Sequence, residues 1–397
     1  MLRYEMKKIF VKPMNKIIVV LLVLITFVMG FLTIRDVRYL EENGSQLSGI
    51  AAACRLKEDK SRWRGYLTED VLRQAAEENS HIHSVSQDAD EGYQKRQGLT
   101  DIRELLNVAF CDYGDYDYYK ADSIAPEEAA GLYERRITQL EEWLDADEDH
   151  LSDAEKDFLT GQYKKLETPF YYEYADGWTA LMDSQYLPTI MIILVVLAGF
   201  LVAGIFSDEF QLKADAVFFS SKLGRNRAVR AKIGAGVLSV TAVYWGIILL
   251  YSLLVLCALG FGGAECPIQS RYANWDSIYN FTYLQDYLFA AIGGYAGCLF
   301  ILMFAMFLSA KLRSTVIAAA VPFALSCVPM FLGRISLLSG VMTLFPDQLL
   351  RMNKSLDAIV LYQIGGRVVG YLVLIVPVYF VLCLILAPVL YGVYRRA

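Results

Sequence analysis

The chain has 397 residues, of which 55% are hydrophobic and 20% are charged, and its mean hydropathy is +0.35. A chain of this length and hydropathy is too apolar for a soluble protein, so the composition predicts a membrane protein. The net charge is −6, but residues 35–185 alone carry 34 of the 43 acidic residues and 17 of the 37 basic ones, which gives that region −17. The remaining basic residues border apolar segments instead of forming an aromatic-interleaved patch, which argues against nucleic acid as a partner.

Six segments contain no charged residue and are long enough to cross a bilayer, which takes roughly 17–25 helical residues. They are 17–34, 184–207, 233–264, 287–310, 314–333 and 368–394. No small-x-small cleavage site follows the first segment, so we predict a transmembrane helix at 17–34 and not a cleaved signal peptide. The predicted fold class is an all-α membrane protein with six transmembrane helices, the last five of them within residues 186–394.

Lys and Arg residues indicate the orientation of these helices. The N-terminal segment, the connection after the second span, the link between the fourth and fifth spans and the C-terminal tail together hold 15 basic and 4 acidic residues. The two short connections on the opposite side hold five of each. This asymmetry predicts that both termini are cytoplasmic and that residues 35–185 form an acidic extracellular domain between the first two helices.

The 35–185 domain contains helix signals throughout. Thr68 and Thr100 are expected to cap helices, Pro126 is expected in a first turn, and Ser152 with Glu155 has the spacing of a capping box. Residues 170–178 are rich in Tyr, Phe and Trp and are followed by the second span. Two readings stay open for them, a packed collar at the membrane interface and a substrate-facing surface.

Several patterns resemble metal or catalytic sites, but they lack required residues. Asp145, Asp147 and Asp149 begin like a calcium loop, but His150 stands where that loop needs Gly. Zinc and acyl-transfer motifs of the types HExxH, CxxC and GxSxG do not occur in the sequence. We therefore predict no catalytic residues, no metal site and no cofactor in this chain.

Histidine and cysteine placement leaves two alternatives open. His81 and His83 form a His-x-His pair, which lacks a third ligand placed by sequence and is better explained as a surface pair. Cys54 and Cys111 both fall outside the predicted spans, so a disulfide between them is an alternative to two free thiols.

The predicted spans contain no Asp, Glu, Lys, Arg or His, and the sequence lacks a GxxxxGK[ST] phosphate loop. Ion-coupled transporters usually place charged groups in the membrane, and P-loop ATPases need the glycine-rich loop. Any transport activity would therefore require energy from another subunit.

The most specific stretch is 206–232, which connects the second and third spans. It combines acidic residues at the end of a span, an aromatic segment and a basic run that opens the next span. An ordinary positive-inside loop would explain the basic residues but not the aromatic ones, which favour docking onto a partner. The candidate coupling residues are Glu209, Lys213, Asp215, Phe218, Phe219, Ser220, Arg225, Arg227 and Lys232.

On these residues the chain resembles the permease subunits of ABC-2 type transporters. In that family a Glu ends the second span, a Ser-containing turn follows, and an Arg and then a Lys precede the third span; Glu209, Ser220, Arg225 or Arg227, and Lys232 match those places. The family's Gly after the Glu and its Pro after the Ser are replaced here. Residues 1–16 resemble the family's cytoplasmic interfacial elbow helix, and 335–366 resemble its external re-entrant or interfacial segment. The long 35–185 insertion is similar to a subgroup that is often found in Gram-positive bacteria.

The resemblance implies a multi-pass bacterial cell-membrane protein that pairs with a separate ABC ATP-binding subunit and with a second permease subunit, identical or not. ATP and Mg would be bound by the partner, so this chain would not itself be an enzyme. Membrane lipid would surround it, and the expected function is export of an amphipathic or lipid-like compound or peptide. The alternative is a membrane receptor whose extracellular domain binds a peptide or a cell-envelope ligand.

Overall fold

The computed structural model describes residues 1–86, 89–146, 151–220, 224–332, 342–355 and 359–396, and most of them are helical. In chain order the helices are α1 (Leu2–Val11), α2 (Pro13–Arg35), α3 (Ile50–Ser61), α4 (Glu69–Val85), α5 (Ala89–Arg96), α6 (Thr100–Phe110), α7 (Pro126–Ala129), α8 (Leu132–Ala146), α9 (Asp153–Lys164), α10 (Asp176–Leu181), α11 (Tyr186–Gln211), α12 (Asp215–Ser220), α13 (Val229–Leu259), α14 (Tyr283–Leu312), α15 (Thr315–Cys327), α16 (Pro329–Leu332), α17 (Met352–Ser355) and α18 (Tyr371–Arg396).

Five of the described helices are long and apolar enough to cross a membrane: α2, α11, α13, α14 and α18. They coincide with five of the six predicted spans, and their lengths follow from local signals at their ends. Thr282 and Gln285 form a capping box at the start of α14, and α13 ends at Gly260, whose φ of 110° L side chains rarely adopt. The structure therefore confirms a mainly helical chain with five helices of the length and composition that cross a membrane.

The fifth predicted span, at 314–333, does not form one long helix. The helix α15 has 13 residues, which corresponds to about 20 Å and is too short for a hydrocarbon core of about 30 Å. It ends at Cys327, and the four-residue α16 starts at Pro329. Proline lacks the N–H that would continue the backbone ladder, which accounts for the interruption. The sequence predicts six spanning helices, and the described part of the chain contains five that are long enough.

The helices α11 and α14 form the centre of the bundle. The former contacts α2, α13, α14 and α15, and the latter contacts α11, α13, α15 and α18. The crossing of α11 and α15 is close because Gly199 lies against the ring of Pro322, as in other membrane helix interfaces built on small residues. Tyr244 donates a hydrogen bond from its hydroxyl to the carbonyl of Ala291 at 2.7 Å and ties α13 to α14.

The segment 342–355 packs against the bundle. Leu349 is fully buried at Gly297 of α14, about 21 Å along that helix from its start. Asn353 donates from its side chain to the carbonyls of Met182 at 3.0 Å and Asp183 at 3.1 Å. The predicted re-entrant or interfacial segment 335–366 lies only in part within the described residues, because 333–341 and 356–358 are outside them.

The module between α2 and α11, residues 36–175, has its own apolar core, made by α4, α6, α7, α8 and the loop residue Trp275. Thr68 caps α4 as predicted, and Ser152 and Glu155 form the predicted capping box of α9. Thr100 was predicted to cap a helix, but it is the first residue of α6, and Leu99 occupies the cap position. Pro126 starts a helix that stops at Ala129, so the helical stretch predicted to continue through it is divided into α7 and α8.

Three two-stranded antiparallel pairs complete the fold. They are β1 (Arg38–Leu40) with β2 (Gln46–Ser48), β3 (Gly65–Tyr66) with β4 (Tyr171–Tyr172), and β5 (Leu361–Ile364) with β6 (Arg367–Gly370). The last pair turns at two glycines with positive φ and contacts the module through a hydrogen bond from the Gln363 side chain to the Ser152 hydroxyl at 2.7 Å. These hairpins are a small correction to the all-α prediction.

The aromatic stretch 170–178 is packed inside the protein. Phe170, Tyr172, Tyr174 and Trp178 are all at most 5% exposed, and the indole N–H of Trp178 donates to the carbonyl of Phe261 at 3.2 Å. The rings therefore join the module to the loop after α13, which agrees with the packed reading and not with an open surface.

The cysteines predicted outside the spans are not joined. Cys54 is exposed, Cys111 is buried, and both are free thiols.

Candidate functional site

The segment between α11 and α13 is built from three short pieces. The helix α11 ends at Gln211, and Lys213 adopts a φ of 57°, which turns the chain away from the helix axis. The helix α12 follows, and a turn of π-helix at Gly224–Ala228 leads into α13. Local π-helical turns are frequent at functional sites. Residues 221–223 lie outside the described part.

Glu209 and Lys232 form a buried ion pair at the base of this segment. The Lys232 ammonium lies 2.6 Å from Oε1 of Glu209 and donates a second hydrogen bond of 2.7 Å to the carbonyl of Ile205. The side chain of Lys232 is 2% exposed, and that of Glu209 is 11% exposed. Because Glu209 closes α11 and Lys232 opens α13, the pair joins the two helices that the segment connects.

The N-terminal helix adds charges to this pair. Glu5 lies 3.6 Å from Lys232, Lys8 lies 3.7 Å from Glu209, and Lys12 pairs with Asp208. Partial burial by itself would lower the pKa of the Lys8 ammonium, but the hydrogen bonds and charges of Glu5 and Glu209 outweigh it, so this pKa lies above its ordinary value. The predicted N-terminal helix therefore exists as α1 and is ionically attached to the ends of α11 and α13.

An aromatic cluster lies beside the ion pair. Phe218 and Phe219 of α12 are half-buried and contact Tyr394 near the end of α18, with ring centroids 6.0 and 5.3 Å apart. The Tyr394 hydroxyl is 3.4 Å from Oε2 of Glu209, and the Lys232 ammonium lies 5.4 Å from the Phe218 ring centroid. The segment is consequently packed onto α18 as well as onto α11 and α13.

The structure separates the nine candidate coupling residues into two sets. Glu209 and Lys232 are buried in their ion pair, and Phe218 and Phe219 are half-buried against Tyr394. Lys213, Ser220 and Arg227 are exposed, Asp215 is half-buried, and the side chain of Arg225 is not described.

The outward surface also includes Leu212 and Val217, which are 77% and 75% exposed. Neither belongs to the nine candidate coupling residues. A surface that combines exposed apolar and basic side chains along one connecting segment is suited to contact with another protein.

A second buried charge cluster lies where the module meets the bundle. The Lys60 ammonium donates to Asp176 at 2.7 Å and lies 3.0 Å from Asp101, which also accepts from the Tyr172 hydroxyl at 2.7 Å. Burial opposes the charged form of both Lys60 and Asp101, but their mutual attraction outweighs it, so the pKa of Lys60 is raised and that of Asp101 is lowered. Sequence reasoning missed this cluster because its members are 41 and 75 residues apart.

Metal binding finds no support within the described ranges, where no three His, Cys, Asp or Glu side chains are grouped as ligands. His81 and His83 are exposed on α4, and Nδ1 of His83 lies 3.7 Å from Asp122. Residues 147–150, which include most of the Asp-rich turn, are outside the described part.

Comparison with known proteins adds no identification. No family model, no curated protein and no solved structure matches the chain.

Proposed function

We propose that the chain is the membrane-spanning permease subunit of an ATP-binding-cassette transporter and is powered by a separate ATPase subunit. The observation that carries this proposal is the buried Glu209–Lys232 pair at the base of a segment whose other side is exposed. A partner that binds the exposed side can act on two membrane helices through one rigid contact.

The packing of α12 supports a coupling role. A force on the exposed Val217 side is transmitted through Phe218 and Phe219 to Tyr394, and through the adjoining ion pair to α11, α13 and α1. Buried ion pairs and close-packed rings have few alternative arrangements, so a displacement of the segment moves the helices instead of being absorbed locally.

The proposed complex contains two permease subunits and two ATPases. The end of the bundle that carries α1, α12 and Tyr394 would be cytoplasmic, and the 36–175 module would be extracellular. The helices α15 and α16 would form the fifth crossing. The apolar, uncharged faces of the spans suit an amphipathic or lipid-like cargo, and export is the direction we propose.

Charge reversal at Arg227 tests the docking surface. Arg227→Glu replaces an exposed cation with an anion, and Arg395→Glu is a matched control because Arg395 is also exposed at the same end of the bundle. The full chain is purified from its own membranes after mild crosslinking, and the P-loop ATPase recovered per permease is quantified by mass spectrometry. We expect a several-fold loss for Arg227→Glu and none for the control, since repulsive rim charges lower association rates.

Two outcomes contradict the proposal. One is full ATPase recovery with both Arg227→Glu and Val217→Asp, because the latter places a charge on the most exposed apolar side chain of α12. The other is the absence of any P-loop ATPase from the wild-type preparation.

The alternative is a receptor, and a cavity of about 240 Å³ at the boundary between the module and the bundle favours it. Lys60, Asp101, Tyr172, Arg271 and Tyr283 are among its lining residues, which makes it a polar and aromatic site. A receptor that signals on its own needs no ATPase, so the recovery experiment separates the two functions.

A further inference from the structure

A mixed-charge cleft lies at the boundary between the module and the bundle. Two cavities of about 240 and 260 Å³ share Asp176, Thr179 and Arg271 in their walls. The second cavity is also lined by Thr33 and Asp36, at the end of α2, so it opens where an apolar helix ends.

Arg271 is the half-buried cation of both cavities. Within the described residues its guanidinium forms no ion pair, although its charge acts on Asp101 and Asp176, which are both bonded to Lys60. The only other cation in the wall of the second cavity is Arg38, which is exposed at its rim. An unpaired, half-buried guanidinium is suited to a phosphate or carboxylate, which it can bind with two parallel hydrogen bonds.

Two carboxylates stand in the same cavity and also lack an ion pair among the described residues. Asp36 accepts from the Tyr186 hydroxyl through Oδ2. Asp183 accepts from the backbone N–H of Gln185 at 2.7 Å and of Tyr186 at 3.3 Å, in both cases through Oδ1. Each carboxylate therefore keeps its second oxygen for a further donor. A primary ammonium has three N–H donors and fits this pair.

The helix α2 supplies an apolar path away from the cleft. Three exposed apolar residues precede Asp36 at four-residue intervals along this helix: Leu32, Val28 and Leu24, which are 36%, 57% and 56% exposed. A molecule with its polar end in the cleft would lay an acyl chain along this stripe.

We propose that this cleft binds a membrane lipid whose headgroup carries a phosphate and a primary ammonium. Arg271 binds the phosphate, Asp36 and Asp183 bind the ammonium, and the acyl chains follow the exposed stripe of α2. The inference gives the proposed transporter a lipid site, but the site itself needs no ATPase. Binding to the purified chain therefore tests it independently of the proposed function.

The test is lipid retention by the full-length chain in detergent, measured by native mass spectrometry with added phosphatidylethanolamine, phosphatidylglycerol or phosphatidylcholine. Arg271→Gln should weaken both phosphatidylethanolamine and phosphatidylglycerol about tenfold, because a charge-assisted hydrogen bond is lost from each. Asp183→Asn should weaken phosphatidylethanolamine several-fold and leave phosphatidylglycerol unchanged. Phosphatidylcholine should bind more weakly than phosphatidylethanolamine, since its quaternary ammonium has no N–H.

Controls identify which part of the proposal is at fault. Arg135→Gln removes a cation of α8 that pairs with Glu142 and lines neither cavity, so it should leave all three lipids bound. Arg271→Lys keeps the charge and should retain more phosphatidylethanolamine than Arg271→Gln, which separates lost recognition from lost folding. Retention of phosphatidylethanolamine by Arg271→Gln, or equal loss of both lipids in Asp183→Asn, overturns the assignment. Binding of soluble glycerophosphoethanolamine as tight as that of the lipid also overturns it, because the site would then belong to a soluble molecule.

Discussion

Replacement of Lys232 by Met should strongly destabilise the end of the bundle at which α1 and α12 meet. The change removes the 2.6 Å ion pair to Glu209 and the 2.7 Å hydrogen bond to the Ile205 carbonyl while it keeps most of the side-chain volume. Glu209 is then left largely buried, with Lys8 at 3.7 Å as its remaining cation and Glu5 close by.

The size of the effect follows from this geometry. Removal of one partner of a buried ion pair typically costs about 3–5 kcal/mol, because the other charge stays buried without compensation. Lys8 offsets part of this cost, so we expect the free energy of unfolding to fall by about 3 kcal/mol. The double variant Glu209→Gln with Lys232→Met removes the uncompensated charge and should recover roughly 2 kcal/mol of that loss.

The assay is equilibrium unfolding of the purified chain in mixed micelles with increasing denaturing detergent, followed by Trp fluorescence. Lys7→Met is the control, because Lys7 is an exposed lysine of α1 and its loss should change stability by less than about 0.5 kcal/mol. A cost below about 1 kcal/mol for Lys232→Met, or a double variant no more stable than the single one, would refute the reasoning that the pair is a rigid connection.

Two further changes test the bundle and the module. Gly199→Ala should lower the free energy of unfolding by about 1–3 kcal/mol, since the new Cβ would lie 2.5 Å from the ring of Pro322. Gly246→Ala is the control, because a Cβ there would have no atom within 4 Å and should cause no loss. Equal thermal midpoints for the two variants would contradict this packing. Burial raises the pKa of Asp276 to about 6, so the stability that its protonated form contributes is complete below about pH 4 and is lost as the pH rises through 6. Relative to wild type, Asp276→Asn should therefore gain about 1–2 kcal/mol between pH 4 and pH 7.5 in the same unfolding assay, and a pH-independent difference would contradict it.

Local features of the fold were predictable from the sequence. The capping box at Ser152 and the cap at Thr68 depend on residues three positions apart, and the structure contains both. The apolar stretches likewise located five long helices, because the bilayer imposes a minimum length that few buried helices of soluble proteins reach. The prediction of one long helix at 314–333 was wrong because it used hydropathy alone. Pro329 interrupts the backbone hydrogen bonds there without making the segment less apolar.

The candidate site was predictable only as a set of residues. Glu209 and Lys232 were both identified from sequence, but their pairing depends on how α11 and α13 cross, which no local pattern encodes. The direction of the aromatic residues was also inaccessible. The sequence predicts Phe218 and Phe219 as docking residues, but it does not predict their contact with Tyr394, which lies more than 170 residues later in the chain.

The predicted spans contain no charged residue, and the structure shows where the charged groups of the bundle lie instead. The ionic groups are concentrated at the two ends of the bundle, in the Glu209–Lys232 pair at one end and in the Lys60 cluster and the Arg271 cleft at the other. Between them α11 and α14 pack with apolar and small residues, which allow close contact and limited sliding. A displacement imposed at α12 would therefore reach the Arg271 cleft through α11, which has Glu209 near its end and begins close to Asp183. If ATPase binding and lipid retention are linked in this way, a saturating ATPase partner should change phosphatidylethanolamine retention in wild type and have no effect on it in the double variant at Glu209 and Lys232.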